Sequence, residues 1–188
     1  LYGLDDGPET MDESIQMCRI SFRDGVRTIV ATPHTLNGEY QNDRSTILAK
    51  VKELNEALTQ CGLRNSEFGA NQSSSFDFRK DPMTELPCDP ITDLRILPGA
   101  DVHFSNEILH QVDQGEVMTV GDGKKFLILE FPFHTISFGT EDVLFQLMAR
   151  GITPIISHPE RNVEIVRKPA RYYETVSYTH LRAHETVL

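Results

Sequence analysis

Three times in this chain a short apolar run ends on a residue able to bind a metal ion. Thr28-Ile29-Val30-Ala31-Thr32-Pro33 runs into His34, Phe126-Leu127-Ile128-Leu129 into Glu130, and Ile152-Thr153-Pro154-Ile155-Ile156-Ser157 into His158. A fourth run, Leu94-Arg95-Ile96-Leu97-Pro98-Gly99-Ala100, leads to Asp101. Each has the length and β-branched bias of a buried parallel strand, and the stretches between them have helical periodicity. Strand, polar residue, helix, repeated, is the layout of an α/β barrel with its site at the C-terminal ends of its strands. That recurrence points to a metal-dependent enzyme.

Bulk properties narrow the class. The 188 residues suffice for one domain but fall short of the roughly 250 of a complete α/β barrel. Apolar residues make up 39% and charged ones 24%, a globular balance rather than a disordered one. A net charge of −10 argues against a general binder of nucleic acid or anionic membranes. Phosphate binding remains open to such a protein if metal ions supply positive charge locally. No apolar run nears the roughly 18 residues of a membrane span and no signal-peptide pattern opens the chain, so the expected location is cytoplasmic.

Three cysteines, Cys18, Cys61 and Cys88, give neither a zinc knuckle nor a disulfide framework. A cysteine phosphatase places an arginine six positions after its nucleophile. Those positions here hold Asp24, Glu67 and Leu94. Cys18 falls on the apolar side of a predicted helix and reads as a small buried hydrophobe.

Along the chain, Leu4-Asp5-Asp6-Gly7-Pro8 is a turn, and Thr10 with Glu13 predicts a capping box. The helix it opens carries Met11, Ile15, Met17, Cys18 and Phe22 and ends near Asp24-Gly25. Asn42 or Asp43 caps a second helix bearing Ile47, Leu48, Val51, Leu54 and Leu58, with a stop expected at Cys61-Gly62. Residues 64–93 change character: Asn65 to Ser75 is polar, Pro82, Pro87 and Pro90 follow, and the segment reads as an inserted loop. Then come strands and helices in alternation, with helices around 105–113 and 140–150 and another beginning at Arg167. Residues 176–188 have no caps or strand pattern and resemble translated adaptor sequence. His180 and His184, though at i, i+4, are therefore set aside as metal ligands.

Glu130 between Phe126-Leu127-Ile128-Leu129 and Phe131-Pro132-Phe133 would be costly to bury without a partner or a cation. His158 opens Ser157-His158-Pro159-Glu160-Arg161-Asn162, a histidine, an acid and an arginine at one strand end. Imidazoles mixed with carboxylates suit Mn²⁺, Fe or Zn²⁺ rather than the oxygen cages of Ca²⁺. A carboxylate such as Glu130 can bridge two ions, bound water becomes hydroxide near neutral pH, and Arg161 can grip phosphoryl oxygens bidentately.

These residues resemble a family. Leu4-Asp5-Asp6-Gly7-Pro8, Thr10-Met11-Asp12-Glu13-Ser14 and Asp24 through His34 are similar to the bacterial tyrosine phosphatases of capsular and exopolysaccharide loci. Those enzymes belong to the polymerase and histidinol phosphatase (PHP) superfamily. Leu97-Pro98-Gly99, Leu129-Glu130-Phe131-Pro132 and Ser157 to Asn162 continue the match in order, over roughly residues 1–63 and 94–175.

The resemblance implies a distorted (β/α) barrel of PHP type with a cluster of divalent ions, usually manganese. It implies Asp6, His34, Glu130 and His158 as ligands, with Glu130 bridging, and Arg161 as the group that orients phosphate. Asp101 stands where the family usually has glutamate. Pro159 and Glu160 are expected to shape the turn and hold Arg161. A His-x-His pair should precede Leu1 and an Asp-x-His pair should follow the last family-like residues. The chain therefore reads as an incomplete fragment, lacking the first strand and the last βα units and feeble or inactive alone. The implied activity is hydrolysis of phosphotyrosine by metal-bound hydroxide, on an autophosphorylating tyrosine kinase that controls polysaccharide export. The alternatives are a phosphoesterase of histidinol phosphate or a nucleotide, and a scaffold that has lost the site.

Overall fold

The computed structural model describes residues 1–67 and 93–177, with 61–67 described as backbone only. Most of the expected insertion and tail lies outside these residues, as do Cys88, His180 and His184.

Helix α1 (Met11–Arg23) begins with the predicted capping box: Thr10 Oγ1 accepts from the Glu13 amide, and the Glu13 carboxylate accepts from the Thr10 amide. At its other end Asp24 is the cap and Gly25, at φ 91°, turns the chain. Val26 N donates back to Ser21 O at 3.0 Å, which closes the end as a Schellman motif. Ser14, Ile15 and Cys18 are buried. Met17, expected on that face, is exposed, because two residues' separation from Ile15 carries it about 200° around the helix.

Helix α2 (Arg44–Glu67) is capped by Asp43, whose carboxylate accepts from the Thr46 amide at 2.7 Å and the Ser45 hydroxyl at 2.9 Å. Ile47, Val51, Leu54 and Leu58 form its buried stripe. Each such aliphatic side chain contributes about 1.5–3 kcal/mol on burial. The helix runs through Gly62 rather than stopping there. A glycine in mid-helix costs only about 1 kcal/mol, less than a stripe of this kind supplies.

The sheet is wholly parallel among the paired strands. Strands β1 (Thr28–Ala31) and β3 (Arg95–Pro98) pair with each other, and β2 (His34–Thr35), β4 (Asp101–His103), β5 (Phe126–Glu130) and β6 (Thr153–Ser157) lie in that order. The expected strands at 28–33 and 94–100 are thus each broken once. Pro33 has no amide hydrogen to offer a ladder, so β1 stops before it and β2 resumes beyond. The register survives the break: Ala31 faces Pro98 and, three residues on in both chains, His34 faces Asp101. The Asp101 amide bridges the gap by donating to Pro33 O at 3.0 Å.

Gly99 makes this junction possible. A Cβ there would lie 2.7 Å from Val30 Cγ1, closer than real Cβ contacts come, and 3.0 Å from the Ala31 carbonyl, tighter than most.

The helices α3 (Ile108–Gln114), α4 (Thr140–Ala149), α5 (Val163–Arg167) and α6 (Pro169–Val176) complete the described fold, with α5 following a single 3₁₀ turn at Pro159–Arg161. Leu127 and Leu129 of β5 and Leu144 and Leu147 of α4 are fully buried at the centre of the core. Val176, first residue of the expected tail, is the last residue of α6 and is buried too. Arg171 fixes α6 to α4 through an ion pair to Glu141 at 2.8 Å.

Candidate metal centre

His34 and Asp101 open β2 and β4 just past the strand breaks, Glu130 closes β5 and His158 follows β6, and there the polar side chains converge. His34, Asp101 and Glu130 each place one ligand-type atom within 4.8 Å of the others, and Asp5, Asp6 and His34 form a second such set sharing the histidine. Among the described residues His158 falls in neither set.

Asp101 is buried at β4, 5% exposed, and accepts a 2.6 Å hydrogen bond from Ser157 Oγ. Burial pushes its carboxyl above the ordinary carboxylate range, a rise opposed by the Ser157 bond, reinforced by the charge of Glu130 and countered by His34 and His158. A buried carboxylate beside a second one is costly without a cation between them. Its shorter side chain therefore does not remove Asp101 from the cluster.

Of the two leading aspartates, the sequence reading favours Asp6, whose side chain is 68% exposed and stands 3.3 Å from His34 Nδ1. Asp5 is the more deeply built. Its side chain is 8% exposed, and Oδ2 accepts from the His34 amide at 3.0 Å while lying 3.1 Å from His34 Nδ1. That contact favours the tautomer with its proton on Nδ1 and leaves Nε2 as an electron-pair donor. Asp5 Oδ1 accepts from Gly7 N at 3.1 Å. An aspartate two residues before a turn glycine is the signal that could have singled it out.

Asn42, read as a possible helix cap, instead donates through Nδ2 to Leu4 O at 2.8 Å and His34 O at 2.9 Å. It ties the aspartate turn to β2. Tyr40 stands over the same corner, its ring centroid 6.3 Å from that of His34. Desolvation raises the Tyr40 phenol first, and the charges of Glu39, Asp6 and Asp5 add to it.

The other side of the site is held by loops. His158 follows β6 directly with left-handed backbone angles, φ 44° and ψ 46°, a strained conformation for a residue with a Cβ. Its Nδ1 is 3.1 Å from Glu160 Oε1. Glu160 thus pairs with His158, whereas the expectation was that it would hold Arg161. Desolvation acting upward on the Glu160 carboxyl is outweighed by its own backbone amide, His158 and Arg161, which lower it. Arg161 Nη1 reaches Glu130 Oε1 at 3.4 Å, and its side chain is 50% exposed. Asn162, fully buried, caps α5 by accepting from Ile165 N at 2.9 Å and donates to Pro132 O at 2.7 Å. That pair of bonds fastens the Arg161 turn to the chain leaving β5.

The donor set is of mixed nitrogen and oxygen type, open to solvent on the Arg161 side and closed beneath Asp101. A donor set of this kind, gathered on one side of a parallel α/β sheet, is one that could hold a metal ion. The comparison with known proteins makes it specific. The family model for capsular polysaccharide synthesis, CpsB/CapC, matches residues 1–71 and 72–180, and the chain belongs to that family. It is 29% identical over 176 residues to the tyrosine-protein phosphatase YwqE of Bacillus subtilis, covering 94% of this chain and 58% of the relative. It is 24% identical over 187 residues to the tyrosine-protein phosphatase CpsB of Streptococcus pneumoniae, covering 98% of this chain and 65% of the relative. Among solved structures, one described as YwqE and CpsB, "unique metal-dependent tyrosine phosphatases", superimposes with a TM-score of 0.74 at 28% identity over 95% of this chain and 60% of that one. The chain thus spans about 60% of the length of the relatives it matches.

Proposed function

We propose that this chain carries part of the active site of a metal-dependent protein-tyrosine phosphatase. The observation that carries the reading is the convergence of His34, Asp101 and Glu130 within 4.8 Å, with Asp101 buried. Two carboxylates and an imidazole gathered in this way repel or desolvate one another unless a cation joins them. Mixed nitrogen and oxygen donors fit a divalent transition metal, with Mn²⁺ preferred and Fe or Zn²⁺ compatible. Asp6, His34, Asp101, Glu130 and His158 are the proposed ligands, Glu130 the bridge, within a sheet read as an arc of a distorted barrel.

When bound, such a cluster neutralises phosphoryl charge and acidifies water near it. The chain's own groups do the rest. Asp5 orients His34 and fixes its tautomer. Arg161, freed from its 3.4 Å contact with Glu130, holds two phosphoryl oxygens and stabilises charge as the bond to the leaving phenol breaks. Covalent thiol catalysis gains no support from Cys18, whose thiol burial raises and whose position is in the α1 core. The proposed substrate is a phosphotyrosine protein in the cytoplasm, an autophosphorylating kinase of capsule synthesis. Among the described residues no helix is long and apolar enough to cross a membrane.

The test uses the full-length protein. Purified with Mn²⁺, it should retain bound metal and hydrolyse a phosphotyrosine peptide in preference to histidinol phosphate or nucleotides. Glu130→Gln should lower that turnover by about a hundredfold or more. Preference for histidinol phosphate or a nucleotide moves the substrate assignment; absence of bound metal with turnover unchanged in Glu130→Gln removes the reading altogether.

A further inference from the structure

Phe133 is a large apolar side chain left 62% exposed three residues beyond Glu130, while Phe131 and Ile136 on either side of it are buried. Its backbone position is set by the site itself. Phe133 O accepts from Val163 N at 2.9 Å, two residues after Arg161, and the neighbouring Pro132 O accepts from the buried Asn162. The same loop is anchored again where the Ile136 amide donates to Glu164 Oε2 at 2.9 Å. Phe133 therefore sits on a loop that leaves Glu130 and is bonded at three points to the segment following Arg161. The His134 ring lies nearly perpendicular to it, centroids 5.1 Å apart at 89°, and the Phe133 side chain remains mostly open to solvent.

We propose that Phe133 is a specificity-determining residue, the aromatic wall against which the substrate's phenyl ring packs while its phosphate lies at Arg161. This deepens the phosphotyrosine reading and rests on it. What sets Phe133 apart from exposed aromatics such as Phe138 and Phe145 is that its backbone is bonded to the residues after Arg161; an aryl ring meeting it there gains offset or edge contacts that an alkyl phosphate cannot make.

In the full-length protein, Phe133→Ala should lower kcat/KM for aryl phosphates by about fivefold or more, mainly through KM, and leave an alkyl phosphomonoester unchanged, since one aromatic pair contributes only about 0.5–1.5 kcal/mol. Phe133→Tyr should restore wild-type values. Calorimetric binding of phenylphosphonate should weaken in Phe133→Ala while methylphosphonate binding does not. Equal effects on aryl and alkyl ligands, or no effect on either, overturns the proposal. The variant changes an exposed side chain, so its thermal midpoint should match the wild type. Failure of the wild type to act on phosphotyrosine would instead sink the function proposed above, and the phosphonate pair would still decide whether Phe133 contacts an aryl ring.

Discussion

The two halves of the sheet present their polar groups differently. In the half made of β1 with β2 and β3 with β4, the strands are broken in register, and His34 and Asp101 sit inside the ladder just past the break. They are largely enclosed and each is held by a neighbour: Asp5 accepts from His34, and Ser157 donates to Asp101. In the half made of β5 and β6 the strands are continuous, and His158 and Arg161 hang on the turn beyond β6, half-exposed and paired to Glu160 and Glu130. The first half is preorganised by backbone geometry; the second depends on a turn tied to the chain leaving β5 through Asn162, Val163 and Glu164. Under the proposed function the two would act together, the first as a rigid cradle for cations and the second as a group that moves onto an incoming phosphate.

This contrast can be broken at its own joints. Gly99→Ala should do the most damage to folding. Its Cβ meets the Ala31 carbonyl and Val30 with no flexible neighbour to yield, so urea unfolding should show a loss of about 1–3 kcal/mol. A loss below about 0.3 kcal/mol would show that the break between the strands is not tightly packed. Asn162→Ala should cost about 1–2 kcal/mol by the same measurement, from the lost helix cap and an orphaned Pro132 carbonyl. Its distinctive effect should appear in the full-length protein as a raised KM with bound metal retained, since it loosens the Arg161 turn and leaves His34 and Asp101 in place. Loss of metal in that variant would mean that the two halves are not separable.

The smallest effect is expected at Asp43, away from the site. Its carboxyl is held below the ordinary range, chiefly by the Thr46 amide and also by the Thr46 and Ser45 side chains. A lowered native pKa gives stability that is present above the unfolded value of 3.8 and is lost as pH falls through the lower native value. Asp43→Ala should therefore depress the thermal midpoint slightly at pH 7, with the difference shrinking below pH 3.8. A difference that stays constant across that range would remove charge from the account of the cap.

Much of this was legible in the sequence because strand ends are signalled twice, by an apolar run and by the polar residue that stops it. Hence His34, Asp101 and Glu130 emerge together at one edge, and the capping box at Thr10 and the stripe from Ile47 to Leu58 form as their spacing predicts. The breaks in the first two strands were not legible, because Pro33 and Gly99 act through a contact between segments far apart in the chain. The same is true of Asn42, Ser157 and Asn162, whose roles are set by partners 38, 56 and 30 residues away. The sequence reading favours Asp6 over Asp5, the same residue type, and gives no weight to the spacing of Asp5 from Gly7, which marks the turn that buries it.

One further contact connects α2 to the sheet. Asn55 receives the Ile96 amide on Oδ1 at 3.0 Å and returns a bond from Nδ2 to Ile96 O at 2.9 Å, taking the place of a neighbouring strand along β3. The helix and the strand are therefore gauged against each other directly, across 41 positions of sequence. The setting of β3 does not have to be transmitted through the chain that connects them. That fixes where β3 lies, and so where Asp101 follows it, whatever length of chain joins the helix to the strand.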